Sequence, residues 1–450
     1  MEEKHGLTTG SVPKRMLLFA LPVFLSNLFQ QLYNTVDSLI VGNYLGSEAL
    51  AAVGSSGSLI FLMTGFVTGV SMGAGVLIAR YFGAKDNKNL HKVVHTTVAL
   101  AISAGIALTL IGVTCSPTLL RWMGTPQEVM HNSVAYFRVY YLGCSAVVMY
   151  NCGASILQSI GDSRSPMVYL ITSAVINVIL DLVFIAGFHG GVSSAALATV
   201  ISQAISALLA FRKLTRLGRK GETYGVKWRE VRFDRHMLRA VVAQGVPSGI
   251  QNSVISIANV VVQANINSFG ANAMAGCGSY SKVEGFAFLP VTCFSMALAT
   301  FVSQNYGAGK PDRVKKGVRF GLVCPLIMAE MIGITVFTLA PFLIGSFSND
   351  PNVIAYGVMD ARTISLFYCV LAYDHCVAGI MRGLGRPMVP MAIMLAIWCV
   401  FRITYITVAL KFINDIRTIF WAYPITWVIS SVIFTMYLIN ALKKLRNTEV

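Results

Sequence analysis

Asp37, Asn177 and Asp181 are the residues of this chain whose types and setting most directly suggest chemistry. Asn177 and Asp181 are four apart and share a helical face. Both acids fall inside long apolar runs, where an ionised carboxylate costs about 3 kcal/mol unless it faces protein or water. Two such carboxylates beside an amide oxygen make either a proton store or a cage of oxygen ligands for a hard cation. A structural acid paired with a base is the plainer alternative, yet Arg138 is the one Lys or Arg of that half that lies in an apolar run away from its ends.

The elements that must position these residues are membrane spans. The chain is 55% hydrophobic and 12% charged, with a mean hydropathy of +0.66, whereas soluble domains carry about 25% charged residues. Apolar runs of ~20 residues or more predict twelve spans, at 16–42, 52–80, 93–117, 132–158, 165–188, 192–213, 237–267, 276–305, 314–344, 353–382, 387–411 and 417–441. The fold class is therefore an all-α polytopic membrane protein. Span 1 carries Asn27, Gln30, Asn34 and Asp37 on one face, and span 7 carries Asn252, Ser256, Asn259 and Gln263 on one face. Hydrogen bonding between helices could account for either stripe alone; two matched stripes favour a water-filled substrate cavity.

Those stripes belong to a duplication. Leu21-Pro22 recurs as Val246-Pro247, Asn27 as Asn252 and Asn34 as Asn259, all 225 residues on. After a one-residue slip, Phe82-Gly83-Ala84 meets Tyr306-Gly307-Ala308, and Gly161 and Pro166 meet Gly385 and Pro390. Six spans per repeat give two six-helix lobes, residues 1–213 and 237–450, related by a pseudo-two-fold axis along the membrane normal, as in secondary transporters. The basic stretch 214–236 is the linker between them. Asp37, Asn177 and Asp181 map onto Val262, Phe401 and Tyr405, so the acid pair belongs to the first lobe alone.

A net charge of +16 raises the question of nucleic acid. With the amino terminus placed inside, 28 of the 35 Lys and Arg fall in inward-facing segments and three in outward-facing ones. That is the positive-inside pattern, and it predicts cytoplasmic termini and no nucleic-acid partner. The nine cysteines form no CxxC and read as packing residues. The polar start runs straight into a span containing Pro22, predicting no cleavable leader. His91 and His95 have a metal-compatible spacing but read as surface residues at a helix start. Gly65, Gly69 and Gly73 read as a close-packing helix face. Glu284 is a candidate cavity acid, and Asp374 and Arg402 a candidate buried pair; Glu330 has no evident partner in the sequence.

No nucleophile or metal constellation of an enzyme is visible. The GAGK at 307–310 does not make a phosphate-binding loop, because Gln304 stands where its first glycine would be and Pro311 replaces the Ser or Thr.

The duplicated halves, the NTVDSLIVGNYLGSEALAAVG segment at 34–54, LQSIGDSRSP at 157–166 and FLPVTCFSMALATFVSQNYGAGK at 288–310 together resemble the multidrug and toxic compound extrusion (MATE) family, in its DinF-like or MepA-like bacterial branch. The resemblance covers essentially the whole chain. It implies a cation site at Asp37, Asn177, Asp181 and Thr199, with Tyr136 beside it and Tyr140 one turn further. Another branch uses acids on spans 7 and 10; here span 7 has Gln251 while span 10 keeps Asp374. The implied function is antiport of amphipathic organic cations or zwitterions against Na+ or H+, with Pro22 as hinge and Glu284 and Asp374 as further cavity residues. No cofactor other than the coupling ion and no obligate protein partner is implied. The expected location is the bacterial cytoplasmic membrane, in contact with lipid. A flippase for a lipid-linked saccharide is the alternative within the same superfold, though it would call for more basic cavity residues than Arg138, Lys282, Arg362 and Arg402.

Overall fold

The computed structural model describes residues 6–123 and 125–447 and, among them, helices joined by short turns with no β-strand. Lys4, counted above with the inward-facing bases, lies outside the described residues. In chain order the α-helices are α1 (Val12–Gly83), α2 (Asn87–Trp122), α3 (Gln127–Leu142), α4 (Cys144–Ser159), α5 (Arg164–Asp181), α6 (Val192–Arg219), α7 (Arg235–Asn267) and α8 (Ala271–Ala287). There follow α9 (Leu289–Gly307), α10 (Pro311–Gly345), α11 (Pro351–Ile364), α12 (Tyr368–Gly383), α13 (Met388–Met394), α14 (Arg402–Phe412) and α15 (Arg417–Asn447).

Among the described residues, ten stretches are long and apolar enough to cross a bilayer, and α3 with α4, bent by 46°, forms an eleventh. Helix α7 supplies the twelfth crossing by length, since 33 residues at ~1.5 Å each exceed the ~30 Å hydrocarbon layer. Its polar stripe makes it less apolar than the others. Helix α1 contains two spans, Val12–Gly46 and Leu59–Gly83, broken at Gly46, whose φ of 85° is outside the helical region. The helix continues through Pro22, as α7 does through Pro247.

The duplication is written into the backbone. Left-handed residues recur at a spacing of 224: Gly46 with Gly270, Lys85 with Gly309, and Gly161 with Gly385. The second and third pairs use the same turn chemistry. At the third, Gly161 N–H donates to Gln158 O and Asp162 N–H to Leu157 O; in the second repeat Gly385 N–H donates to Arg382 O and Arg386 N–H to Met381 O. A side chain disfavours this conformation by roughly 1–2 kcal/mol, which explains glycine at five of the six positions. Lys85 is the exception.

Contacts divide the molecule into one unit gathering Leu25–Gly249 and another gathering Leu7–Phe24 with the chain from Ile250 onward. The first is packed around Val41, Ile78, Val94, Phe137, Ile156 and Leu214. Within it the second span of α1 lies against the start of α7 at backbone distance. A Cβ on Gly69 would fall 2.5 Å from Ser248 O, and one on Gly73 2.4 Å from Gly245 Cα, so the glycine face is a packing face as read. The second unit is built on Met16, Phe301, Met381 and Phe434, with a smaller cluster around Val262, Ile406 and Phe420. The segment before α1 belongs to this unit. Leu7 N–H donates to Gln304 Oε1 at 2.9 Å, and Arg313 donates to the carbonyls of Leu7, Thr9 and Gly10.

Candidate functional site

Helices α1, α3, α5 and α6 bring the candidate residues of the first unit together. Asn177 and Asp181, one turn apart on α5, are 1% and 0% exposed. Asp37 on α1 lies close enough to the Asp181 carboxyl for each acid to act on the other's charge, an arrangement that a shared proton or a bridging cation would stabilise. Thr199 on α6 donates to Ala195 O at 3.1 Å and accepts from Asn177 Nδ2 at 3.5 Å. This turns the Asn177 amide nitrogen toward Thr199, and its Oδ1 is left without a donor. Tyr136 on α3, 6% exposed, lies in the field of both carboxyls.

The oxygens that face one another here have no donors. Asp37 Oδ1, Asn177 Oδ1, Asp181 Oδ1 and Asp181 Oδ2 are all buried without a hydrogen-bond partner. Leaving a buried acceptor unpaired costs ~1–3 kcal/mol, and an uncompensated charge more. A proton on the pair, or a small hard cation held by carboxylate, amide and hydroxyl oxygens, removes that cost. The donor set is all oxygen and so fits either ion.

Two neighbours were not found from the sequence. Tyr33, one turn before Asp37, hydrogen-bonds Gln30 and Gln203 and sits close to both acids. Both contacts join residues that read as ordinary polar members of a membrane helix, and only packing gives them a role. Asp181 is also the last residue of α5 before a π-helical stretch, Leu182–Gly187. Such wide turns concentrate at functional sites.

The other predicted residues are distributed differently. On α1, Asn27 and Gln30 are partly buried and Asn34 is exposed. On α7, Asn252, Ser256 and Gln263 are partly buried and Asn259 is exposed. Ser256 donates to Asn252 O and Gln263 to Asn267 Oδ1, so part of that stripe is satisfied along its own helix.

The acids of the second unit are more fully partnered. Asp374 is fully buried, with Ser431 donating to one oxygen at 2.7 Å and Ser430 to the other. Its expected partner, Arg402, instead donates to Thr426 Oγ1 at 3.2 and 2.7 Å and stacks over Tyr423 at 4.4 Å. The acid nearest that guanidinium is Glu284. Lys282, on the same helix, lies over the Phe347 ring at 5.5 Å. Asp360, 5% exposed, has the Cys277 thiol as neighbour while its Oδ1 is unpaired. It sits in the first turns of span 10, where an acid reads as a boundary residue, and the sequence did not single it out. Glu330 meets the Cys369 thiol.

Two further readings change. Arg382, counted as a loop base, is 4% exposed and donates to Gln251 Oε1 at 3.0 Å and Ser295 Oγ at 3.1 Å. The Gln251 that occupies the acid position of the other branch is thus engaged by an arginine. His95, read as a surface residue, is 2% exposed because the linker folds over it.

Comparison with known proteins agrees with this architecture. The family model MatE matches residues 22–183 and 247–408, one match per repeat. The chain is 30% identical over 394 residues to "Probable multidrug resistance protein YoeA" of Bacillus subtilis, covering 86% of this chain and 85% of that one. It is 29% identical to "Probable multidrug resistance protein NorM" of Thermotoga maritima, over 88% and 86% of the two chains. Among solved structures, MATE in the bent conformation superposes with a TM-score of 0.90 at 21% identity over 98% of each chain. MATE in the straight conformation gives the same TM-score, identity and coverage. With a model that matches both repeats and relatives that align along most of their length, the chain belongs to the MatE family of membrane transporters and is not an enzyme.

Proposed function

We propose that the protein is a secondary antiporter that exports amphipathic organic compounds, chiefly cations, in exchange for Na+ or H+ bound at Asp37 and Asp181. The observation that carries this reading is the convergence of four buried, donorless oxygens from Asp37, Asn177 and Asp181 in one unit. Asp374, by contrast, has donors in Ser430 and Ser431. The names of the relatives, multidrug resistance proteins in two bacteria, support the export of drugs.

In this mechanism the pair alternates between two charge states. With no ion, two carboxylates repel each other in a poor solvent, and the lowest-energy packing separates or hydrates them. Binding a proton or Na+, with Asn177 Oδ1 and Thr199 Oγ1 completing the shell, lets Asp37 close on Asp181. Because Asp37 is on α1, this closure pulls on the same span that carries Asn27, Gln30 and Asn34. Pro22 lacks the N–H that would tie it to the preceding turn, so bending there loses no hydrogen bond. Closure in this way expels the compound, and release of the ion on the other side resets the site. The two lobes, 1–213 and 237–450, joined by the linker 214–236, are the bodies that alternate. The bases of that linker and of the other inward-facing segments support an orientation with the linker on the cytoplasmic side of a bacterial plasma membrane.

The test is transport of a fluorescent cationic dye into vesicles under a sodium gradient and, separately, a pH gradient. Wild type is expected to move dye under one of them and Asp37→Asn under neither, with both proteins inserted and folded. Equal export by Asp37→Asn sinks the assignment of the site. No dye movement by folded wild type under either gradient turns the reading toward a lipid-linked saccharide flippase.

A further inference from the structure

We propose that His91, His95 and Glu230 form a transition-metal site that fastens the linker between the repeats to the first turns of α2. The two histidines are one turn apart on α2, and their rings stack at 4.0 Å with 27° between planes. The third member comes from far along the chain. A short 3-10 turn, Trp228–Glu230, brings the Glu230 carboxylate to 2.8 Å from His91 Nε2. One ring nitrogen of each histidine and one Glu230 oxygen all lie within 4.8 Å of one another. Ligands on a tetrahedral zinc with bonds of ~2.1 Å are about 3.4 Å apart. The contraction required is small, and Glu230, at 45% side-chain exposure, has the freedom to make it.

The surroundings prepare these groups as ligands. His95 Nδ1 faces His91 O at 2.8 Å and its Nε2 accepts from Lys227 N–H at 3.1 Å. That pattern assigns the neutral ring with its proton on Nδ1. It is the form a metal needs, with a backbone carbonyl in the outer-shell place that orients metal-bound imidazoles. The Lys227 amide is the one bond that a metal on Nε2 displaces. Partial desolvation raises the Glu230 carboxyl, but the Lys227 ammonium, 3.4 Å away, outweighs that and holds it below the ordinary range. Two imidazoles and a carboxylate, with positions left for water, suit Zn2+, Co2+ or Ni2+ over an alkali or alkaline-earth ion. The coupling site, all oxygen, has the opposite preference, so the two sites take different ions.

The linker is already folded over this helix end. Asp234 N–H donates to Thr96 Oγ1, Lys92 pairs with Asp234 at 3.0 Å, and the ring of Tyr224 meets Phe82 edge-on. A metal adds a bond between Glu230 and α2 that is far less labile than the His91–Glu230 contact, which is exposed to solvent. Its predicted effect is to slow local opening of residues 223–234.

The test uses the full-length chain in detergent, free of any affinity tag, titrated with Co2+ followed by visible absorption and with Zn2+ by calorimetry. One ion per chain is expected, with affinity falling as pH is lowered and protons compete with the metal for its ligands. Glu230→Gln, at an exposed position, and His91→Gln, at a half-buried one, should each weaken binding by about tenfold or more. Hydrogen exchange across residues 223–234 should slow with Zn2+ in wild type and be unchanged by it in Glu230→Gln. Affinity equal to wild type in both variants, when each unfolds like wild type without metal, places any bound ion elsewhere and overturns the proposal. So does the absence of saturable binding by wild type. Both outcomes leave the antiport reading untouched, since no residue is shared.

Discussion

The fifth span of each repeat contains a π-helical stretch with a charged residue at its edge, and the two repeats choose opposite charges. In the first, Asp181 immediately precedes Leu182–Gly187; in the second, Arg402 immediately follows Leu395–Phe401. The widened turns are not at matching positions, since Asp181 corresponds to Tyr405. Around Asp181 the acceptors outnumber the donors, whereas Arg402 has Thr426, the Tyr423 face and the nearby Glu284. The same reversal appears at the repeat turns, where Asp162 matches Arg386 and Asp86 matches Lys310. Duplication preserved the backbone and let charge diverge. One half keeps an ion-hungry pair, while the other ties most of its charges into neutral or compensated packing.

Exchanging acids for amides should break or confirm that contrast most visibly. Asp181→Asn removes the shared ion and is expected to reduce gradient-driven export to the background of empty vesicles. Asp374→Asn keeps an oxygen for one of the two serine hydroxyls, and transport should remain within about threefold of wild type. The dye assay on both variants decides the matter. Comparable loss in both would mean that the second repeat also couples ions, and the asymmetry drawn from hydrogen-bond satisfaction would be wrong.

Removing the arginine sharpens the comparison from the other side. Arg402→Met leaves Glu284 without its nearest compensating charge, a change worth about 3 kcal/mol of stability for a buried partner. Denaturant unfolding in mixed micelles should show the loss, and adding Glu284→Gln should recover a good part of it. A double variant no more stable than Arg402→Met would show that Arg402 acts through Thr426 and Tyr423 alone.

Much of this was legible because a membrane makes polar residues conspicuous. Asp37 and Asp181 stood out in apolar runs, and the duplicated proline, glycine and asparagine positions survived as left-handed turns and helix interiors. Pairing was not legible. Asp374 and Arg402 looked like partners in the sequence, but each found nearer hydroxyls on α15. Tyr33 and Gln203 are separated by 170 residues and meet only through the packing of α1 and α6. Glu230 is 139 residues from His91, and its approach depends on a linker fold that no periodicity announces. The π turns follow from how α5 and the α13–α14 region pack, and no residue pattern marks them.

The smallest effect concerns the repeat turn itself, outside the spans. Asp162, 4% exposed, is bonded by Lys213 and by Ser165 through both its N–H, at 3.1 Å, and its hydroxyl, at 2.8 Å. Burial alone would raise its carboxyl, but these partners outweigh it and hold the group below the ordinary 3.8. A depressed acid contributes stability that is complete above the unfolded value and is lost as pH falls through the folded one. Lys213→Met removes the charged donor and lets burial dominate. It should therefore cost about 2 kcal/mol at neutral pH, the worth of a hydrogen bond to a charged group. Its difference from wild type should shrink as pH drops below about 4. Arg386→Met, at the matching turn of the second repeat, should leave the acid limb of the stability profile unchanged. If both variants shift that limb equally, the divergence of charge between the repeats has no consequence for stability at this turn, and the contrast is confined to the membrane interior.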